Sequence, residues 1–122
     1  MKNNLPYASI KNRAGKFVAP SLESVTAAAM NEAKEMPEDL RVSITNASGS
    51  DSYPIGGFTW LLVYKNQKDE KKASAMVDFL KWAFTRGQTY APSLYYAPLP
   101  KEVIKLNKKK IAGILYNGKP VQ

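Results

Sequence analysis

Neither histidine nor cysteine occurs in the 122 residues. That removes the commonest general base and metal ligand, together with thiolate nucleophiles, thiolate metal sites and disulfides. What remains is the chemistry of hydroxyls, carboxylates, aromatic rings and amines. The small-residue run Ala47-Ser48-Gly49-Ser50-Asp51-Ser52 is the first candidate. Ser48, Gly49, Ser50 and Ser52 can offer backbone amides and hydroxyls to an anion, although Asp51 opposes one and the same composition describes a solvated loop. No segment matches Gly-x4-Gly-Lys-Ser/Thr, so nucleotide hydrolysis is not expected.

Glu32, Glu35, Glu38 and Asp39 form a cluster of carboxylates. Their surroundings read as a helix end and an exposed turn, where charge serves solubility rather than acid–base work or a metal. Tyr90, Tyr95 and Tyr96 lie near basic residues and could stack bases, but aromatics between two helices more often fill an interlayer gap. Lys101, Lys105, Lys108, Lys109 and Lys110 form the best patch for a polyanion, whose contacts would be salt-sensitive and blind to sequence. No catalytic residue, metal ligand or cofactor site emerges, and an enzyme is not expected.

With 44% hydrophobic and 23% charged residues, the composition is that of an ordinary folded domain, and the length suits one core. The formal charge of +8 is uneven: residues 61–122 hold twelve Lys/Arg and four Asp/Glu, so 12 − 4 = +8 lies in the second half. Such asymmetry marks either a polyanion surface or a solvated face of lysines. The start, Met1-Lys2-Asn3-Asn4-Leu5-Pro6, has no apolar core of a secretory leader.

Elements to position these groups follow from local pattern. Tyr7–Lys11 and Lys16–Val18 flank the turn residues Asn12-Arg13-Ala14-Gly15, which predicts a short hairpin. Ser21 is an N-cap for a helix carrying Leu22, Val25, Ala29 and Ala33, ending before Pro37. Leu40–Ile44 alternates as a strand, and the aromatic and branched run up to Lys65 reads as a buried central strand. A stripe of Ala73, Met76, Val77, Leu80, Ala83 and Phe84 predicts a helix with Arg86-Gly87 as its basic end and C-cap. After the proline-punctuated Tyr90–Pro100, a last helix is expected to carry Val103, Leu106, Ile111, Ile114 and Leu115 and to end at Asn117-Gly118-Lys119-Pro120. The fold class is therefore α+β, or partial α/β: a short hairpin, two further strands and three helices.

The order of features resembles one family, the phosphate-binding proteins of bacterial phosphate ABC transporters. The resemblance rests on Asn3-Asn4-Leu5-Pro6-Tyr7, Gly15-Lys16-Phe17-Val18-Ala19-Pro20-Ser21, and Tyr53-Pro54-Ile55 before a strand ending in Val63-Tyr64-Lys65. It continues through Phe79-Leu80-Lys81-Trp82-Ala83-Phe84-Thr85-Arg86-Gly87-Gln88 and Leu94-Tyr95-Tyr96-Ala97-Pro98-Leu99-Pro100. These match the family's C-terminal part.

The resemblance implies a periplasmic-binding-protein-like, two-lobed receptor that closes by hinge motion. Residues 1–52 would belong to the second lobe, 59–122 to the first, and Tyr53, Pro54, Ile55, Gly56, Gly57 and Phe58 to a hinge-like crossing. It implies a periplasmic or cell-surface location and a membrane permease as partner. The family's phosphate-gripping motifs are a Gly-Ala-rich stretch ending in Thr-Phe-Pro, a carboxylate, and an Arg with a Ser-Gly-Thr loop. None occurs here. A buried oxyanion needs many donors to replace its lost water. Phosphate is therefore expected only if the missing motifs are supplied, by a complementary polypeptide or segment, with self-association as another outcome of uncovered edges. A small standalone basic protein binding nucleic acid is the alternative from another class, and the less expected one.

Overall fold

A computed structural model of the chain describes residues 5–121. The start of the expected hairpin entry, residues 1–4, lies outside the described residues. The hairpin is present: β1 (Ile10–Lys11) pairs antiparallel with β2 (Phe17–Val18), Ile10 opposite Val18. Asn12 and Gly15 close the turn, with the Gly15 amide donating to the Asn12 carbonyl at 2.9 Å.

Helix α1 (Leu22–Ala33) starts where its cap dictates. The Ser21 hydroxyl accepts the Ser24 amide at 3.0 Å while the Ser24 hydroxyl accepts the Ser21 amide at 2.9 Å, a reciprocal capping box. Its inner face is finer-grained than expected: Ser24, Ala28, Ala29 and Ala33 are buried, and Leu22 and Val25 only half-buried. Side chains this small let neighbouring backbone approach closely, and the Tyr53 amide donates to the Ser24 carbonyl at 3.0 Å.

Two expected strands do not form. Leu40 adopts a left-handed φ of +64°, strained for a residue bearing a Cβ, and the Leu40 amide and carbonyl are spent on the Pro37 carbonyl and the Val42 amide in tight turns. Leu40–Ile44 is therefore a coiled connection from which Ile44 alone is buried. The run Thr59–Lys65, expected to be a central buried strand, is exposed along its length, bends at Lys65 and forms no ladder with a strand among the described residues, although the Lys65 carbonyl accepts the Leu115 amide at 2.7 Å. Strand structure requires a continuous partner, and among the described residues that one bond is not extended into a ladder.

Strand β3 (Asn66–Gln67) follows, then α2 (Glu70–Ala83), capped by Asp69, whose carboxylate accepts the Lys72 amide at 3.0 Å. Ala73, Val77 and Leu80 form its buried stripe. Arg86-Gly87 is not the C-cap: Phe84 holds that place and Arg86–Tyr90 winds on as a tighter helical turn. A second such turn, Pro92–Leu94, ends at Tyr95 with φ +62°.

Helix α3 (Lys101–Ile111) begins after Pro100 and stops earlier than expected. Leu115 leaves it for β4 (Leu115–Tyr116), which pairs parallel with β3 and antiparallel with β5 (Lys119–Pro120). Asn117 and Gly118, at φ +49° and +76°, form the two-residue turn between them, which needs left-handed backbone twice.

Burial concentrates in two small clusters. Ala28, Ala29, Ile44 and Ala47 gather with Phe58; Val77, Leu80, Ile111 and Ile114 gather with Met76, Phe84 and Val121. The halves touch where the Thr26 hydroxyl donates to the Pro98 carbonyl at 3.3 Å and Lys110 pairs with Glu38 at 3.3 Å. The architecture is α+β, with three helices, the expected short hairpin and, in place of the two further strands expected at Leu40–Ile44 and up to Lys65, a small sheet of β3, β4 and β5. No helix among the described residues is long and apolar enough to cross a membrane.

Candidate functional site

The Ser48–Ser52 loop is the one place where the sequence-derived candidates converge with a network. It is held from two elements. From the hairpin turn, buried Asn12 directs its Nδ2 at the carbonyls of Gly49, Ser50 and Ser52, at 3.2, 2.9 and 3.1 Å, while its Oδ1 accepts the Lys16 amide at 3.0 Å. From α1, Asn31 Nδ2 donates to Ser52 Oγ at 2.9 Å and Glu32 Oε1 accepts the Ser48 amide at 3.0 Å. Gly49 sits at φ +98°, and a Cβ there would collide with the Asn31 amide.

This arrangement works against an anion. Ser52 is 0% exposed, and its hydroxyl donates to the Ser48 carbonyl. The Ser48 amide already faces a carboxylate, and the Ser48 hydroxyl points to the same oxygen at 3.5 Å. The carbonyls of Gly49, Ser50 and Ser52 converge on one amide group, which orients acceptors rather than donors toward the loop's centre. A neighbouring polar cleft is lined by Arg13, Asn31, Glu32, Glu35 and Ser48, so its one cation is matched by two carboxylates. The carbonyls of Gly49, Ser50 and Ser52, the Ser48 amide and the Ser52 hydroxyl thus serve the protein's own polar groups.

Glu32 therefore differs from its expected role as a solvated charge, whereas Glu35, Glu38 and Asp39 are exposed. Asp39 is held below the ordinary carboxylate range, chiefly because it accepts the Arg41 amide at 3.1 Å and then the Arg41 guanidinium at 2.8 Å. Glu23, in the first turn of α1, is likewise lowered by its own backbone amide and by the Ser21 hydroxyl. Sequence reasoning missed Asn12 and Asn31 as organisers. Asn12 carried a local turn signal, but nothing in its neighbourhood points to acceptors 37 to 40 residues away.

Residues 53–58, expected as a hinge-like crossing, are anchored at several points. The Pro54 carbonyl accepts the Asn46 amide at 2.8 Å, the Gly56 carbonyl accepts the Thr45 hydroxyl at 3.1 Å, and Gly56 lies against Ile44. Pro54 is buried, Tyr53, Gly56 and Phe58 are half-buried, and Ile55 and Gly57 are exposed.

Lys101, Lys105, Lys108 and Lys109 recur at the spacing of one helix face, and all are exposed. Lys110 turns aside to Glu38. Val103 and Ile111 are buried on the opposite side, so the lysines form the wet face, and those of the last turn also complement the helix dipole. The tyrosines do not fill an interlayer gap: Tyr90, Tyr95 and Tyr96 are exposed, because no second layer covers them. Tyr90 instead continues an outward aromatic row, 6.2 Å from Trp82, which is 5.9 Å from Phe79. Among the described residues no group of three or more Asp or Glu side chains could hold a metal ion.

No protein-family profile matches the chain. Individual relatives do. The phosphate-binding protein PstS of Xylella fastidiosa (strain 9a5c) is 39% identical over 105 residues, 86% of this chain and 29% of that protein. That of Pasteurella multocida is 40% identical over 85% of this chain and 30% of its own length. The corresponding protein of Methanocaldococcus jannaschii is 37% identical over 87% of this chain, again 30% of its length. The chain thus spans a little under a third of the length of these phosphate-binding relatives.

Proposed function

We propose, from the premise that this chain is a relative of one stretch of the phosphate-binding proteins PstS, that it is the C-terminal portion of a non-catalytic phosphate receptor for ABC-type uptake. The observation that carries the reading is identity of 39% spread over 86% of the chain. By this reading it works in the periplasm or at the cell surface, and the completed receptor presents phosphate to a membrane permease.

The portion needs the rest of a receptor to bind phosphate. Two features support this. In the Ser48–Ser52 loop, the best anion candidate, the Ser48 amide and the Ser52 hydroxyl are committed to Glu32 and to the Ser48 carbonyl. The Thr59–Lys65 run is apolar on both faces yet unpaired, the pattern of a strand that belongs inside a covered sheet. Residues 1–52 and 59–122 are then parts of two lobes, and Tyr53–Phe58 the crossing between them. The separate clusters around Ala28 and Val77 favour that division.

Isothermal titration with phosphate, sulfate serving as control, tests the reading. The chain alone should give no phosphate-selective heat; mixed with the remaining portion of the Xylella fastidiosa relative, it should. Tight phosphate-selective binding by the chain alone refutes the need for completion. Association of the two portions without phosphate binding refutes the receptor assignment. The exposed lysine face of α3 favours a second reading, binding of nucleic acid, which a steep salt-dependent affinity for DNA would support and indifference to DNA would discard.

A further inference from the structure

Lys101, Lys105, Lys108 and Lys109 follow one another along α3 at steps of four, three and one. At about 3.6 residues per turn and ~1.5 Å per residue, they share about 100° of the helix circumference over ~12 Å of its length. All four are exposed, and among the described residues the ion pairs are Arg41–Asp39 and Lys110–Glu38, so these ammonium groups have no carboxylate partner. Glu102, three positions before Lys105, borders the face and offsets one charge.

This face stays outward however much of a receptor surrounds it. The apolar side of α3 is already packed within the chain: Val103 and Ile111 are buried, Ile111 against Val77, Leu80 and Ile114. A remaining portion gains by covering the apolar Thr59–Lys65. Covering four ammonium groups instead costs their hydration unless carboxylates meet them.

We infer that this lysine face docks on an anionic phospholipid surface. The choice of polyanion rests on the receptor reading, because a receptor that serves a membrane permease from outside the cytoplasm meets lipid headgroups rather than nucleic acid. The side chains agree with it. Lysine is a compact point charge that tolerates scattered headgroups, and α3 carries no arginine to fork onto a fixed phosphate. With its apolar side spent on the protein's own core, α3 has nothing to insert between acyl chains, unlike an interfacial amphipathic helix. The contact is therefore electrostatic throughout. Each lysine near an anionic surface is worth about fivefold in affinity, the equivalent of ~1 kcal/mol, and Glu102 takes back as much, so three net charges favour an anionic over a neutral surface about a hundredfold. Salt removes that preference as the screening length shrinks from about 10 Å at 0.1 M to about 3 Å at 1 M.

Co-sedimentation of the whole chain with vesicles of phosphatidylcholine and phosphatidylglycerol in equal parts, against vesicles of phosphatidylcholine alone, tests this. The chain should pellet with the anionic vesicles at low salt, stay in solution with the neutral ones, and leave the anionic vesicles as salt rises. Replacing Lys101, Lys105, Lys108 and Lys109 together by Gln should weaken binding several hundredfold, at about fivefold each, whereas Glu102→Gln should strengthen it about fivefold. Replacing Lys68, Lys71, Lys72 and Lys81 by Gln removes the same charge from α2 and its approach, and should change binding by less than about fivefold. All eight lysines are exposed and glutamine matches lysine in helix propensity, so circular dichroism should show the fold unchanged in both sets. Equal binding to neutral vesicles, indifference to the four α3 replacements, an equal loss from the α2 set, or tighter binding of duplex DNA than of anionic vesicles at the same salt overturns the proposal. Free phosphate enters none of these readouts, so this inference and the receptor reading fail separately.

Discussion

Replacing Asn12 by Asp exchanges one atom group for another of nearly equal size and reverses its hydrogen-bonding sense. The Nδ2 group has two protons for three carbonyls, those of Gly49, Ser50 and Ser52, so one proton is shared. Counting two donated bonds and the accepted Lys16 amide, at about 1 kcal/mol each, truncation to Ala costs about 3 kcal/mol. The aspartate keeps the Lys16 bond but sets a carboxylate against three carbonyl oxygens in a position only 5% exposed. It should therefore cost at least as much as Ala, although it removes fewer atoms. Against a total stability of about 5–15 kcal/mol, that is a large share. Urea denaturation followed by circular dichroism measures it, and a thermal scan should show a fall in Tm of roughly 10 °C. An Asn12→Asp chain within about 0.5 kcal/mol of wild type, well below a normal hydrogen bond, would refute the claim that this amide ties the hairpin to the loop.

Two smaller effects follow from the charges. Glu23 and Asp39 titrate below their ordinary range in the folded chain, so their contribution is fully present above the ordinary carboxylate pKa and is lost as pH falls through the lowered values. Acid unfolding should therefore steepen below about pH 4, and Glu23→Gln with Asp39→Asn should flatten that slope in pH-dependent urea titrations. The exposed Lys110–Glu38 pair, at 3.3 Å, should couple by about 0.5 kcal/mol or less in a double-mutant cycle and vanish in high salt.

Much of the fold is legible along the chain because helices are written locally. Ser21 and Asp69 cap α1 and α2 by reaching residues three positions on, and the stripe of Ala73, Val77 and Leu80 repeats within one helix. The hairpin around Asn12–Gly15 is equally local, as is the positive-φ turn at Asn117-Gly118, a sequence that suits a helix end as well as a hairpin turn. The apolar Thr59–Lys65 is also plain in the sequence as a strand in need of cover on both faces. Whether it receives that cover is not a local property.

The tertiary structure decided what depends on distant partners. A strand exists only when another segment satisfies its edges, so Leu40–Ile44 stayed a coiled connection and Thr59–Lys65 joined no ladder among the described residues, whereas Leu115–Tyr116 became a strand because β3 and β5 reached it. The Ser48–Ser52 loop was legible as small and polar, but not the turning of its carbonyls to Asn12 or of its Ser48 amide to Glu32. Composition by itself fixed the absence of imidazole and thiol chemistry and the basic surplus of the second half. The folded chain determined which lysines stand free, because only packing against α1 draws Lys110 to Glu38 and leaves the Lys101–Lys109 face in water.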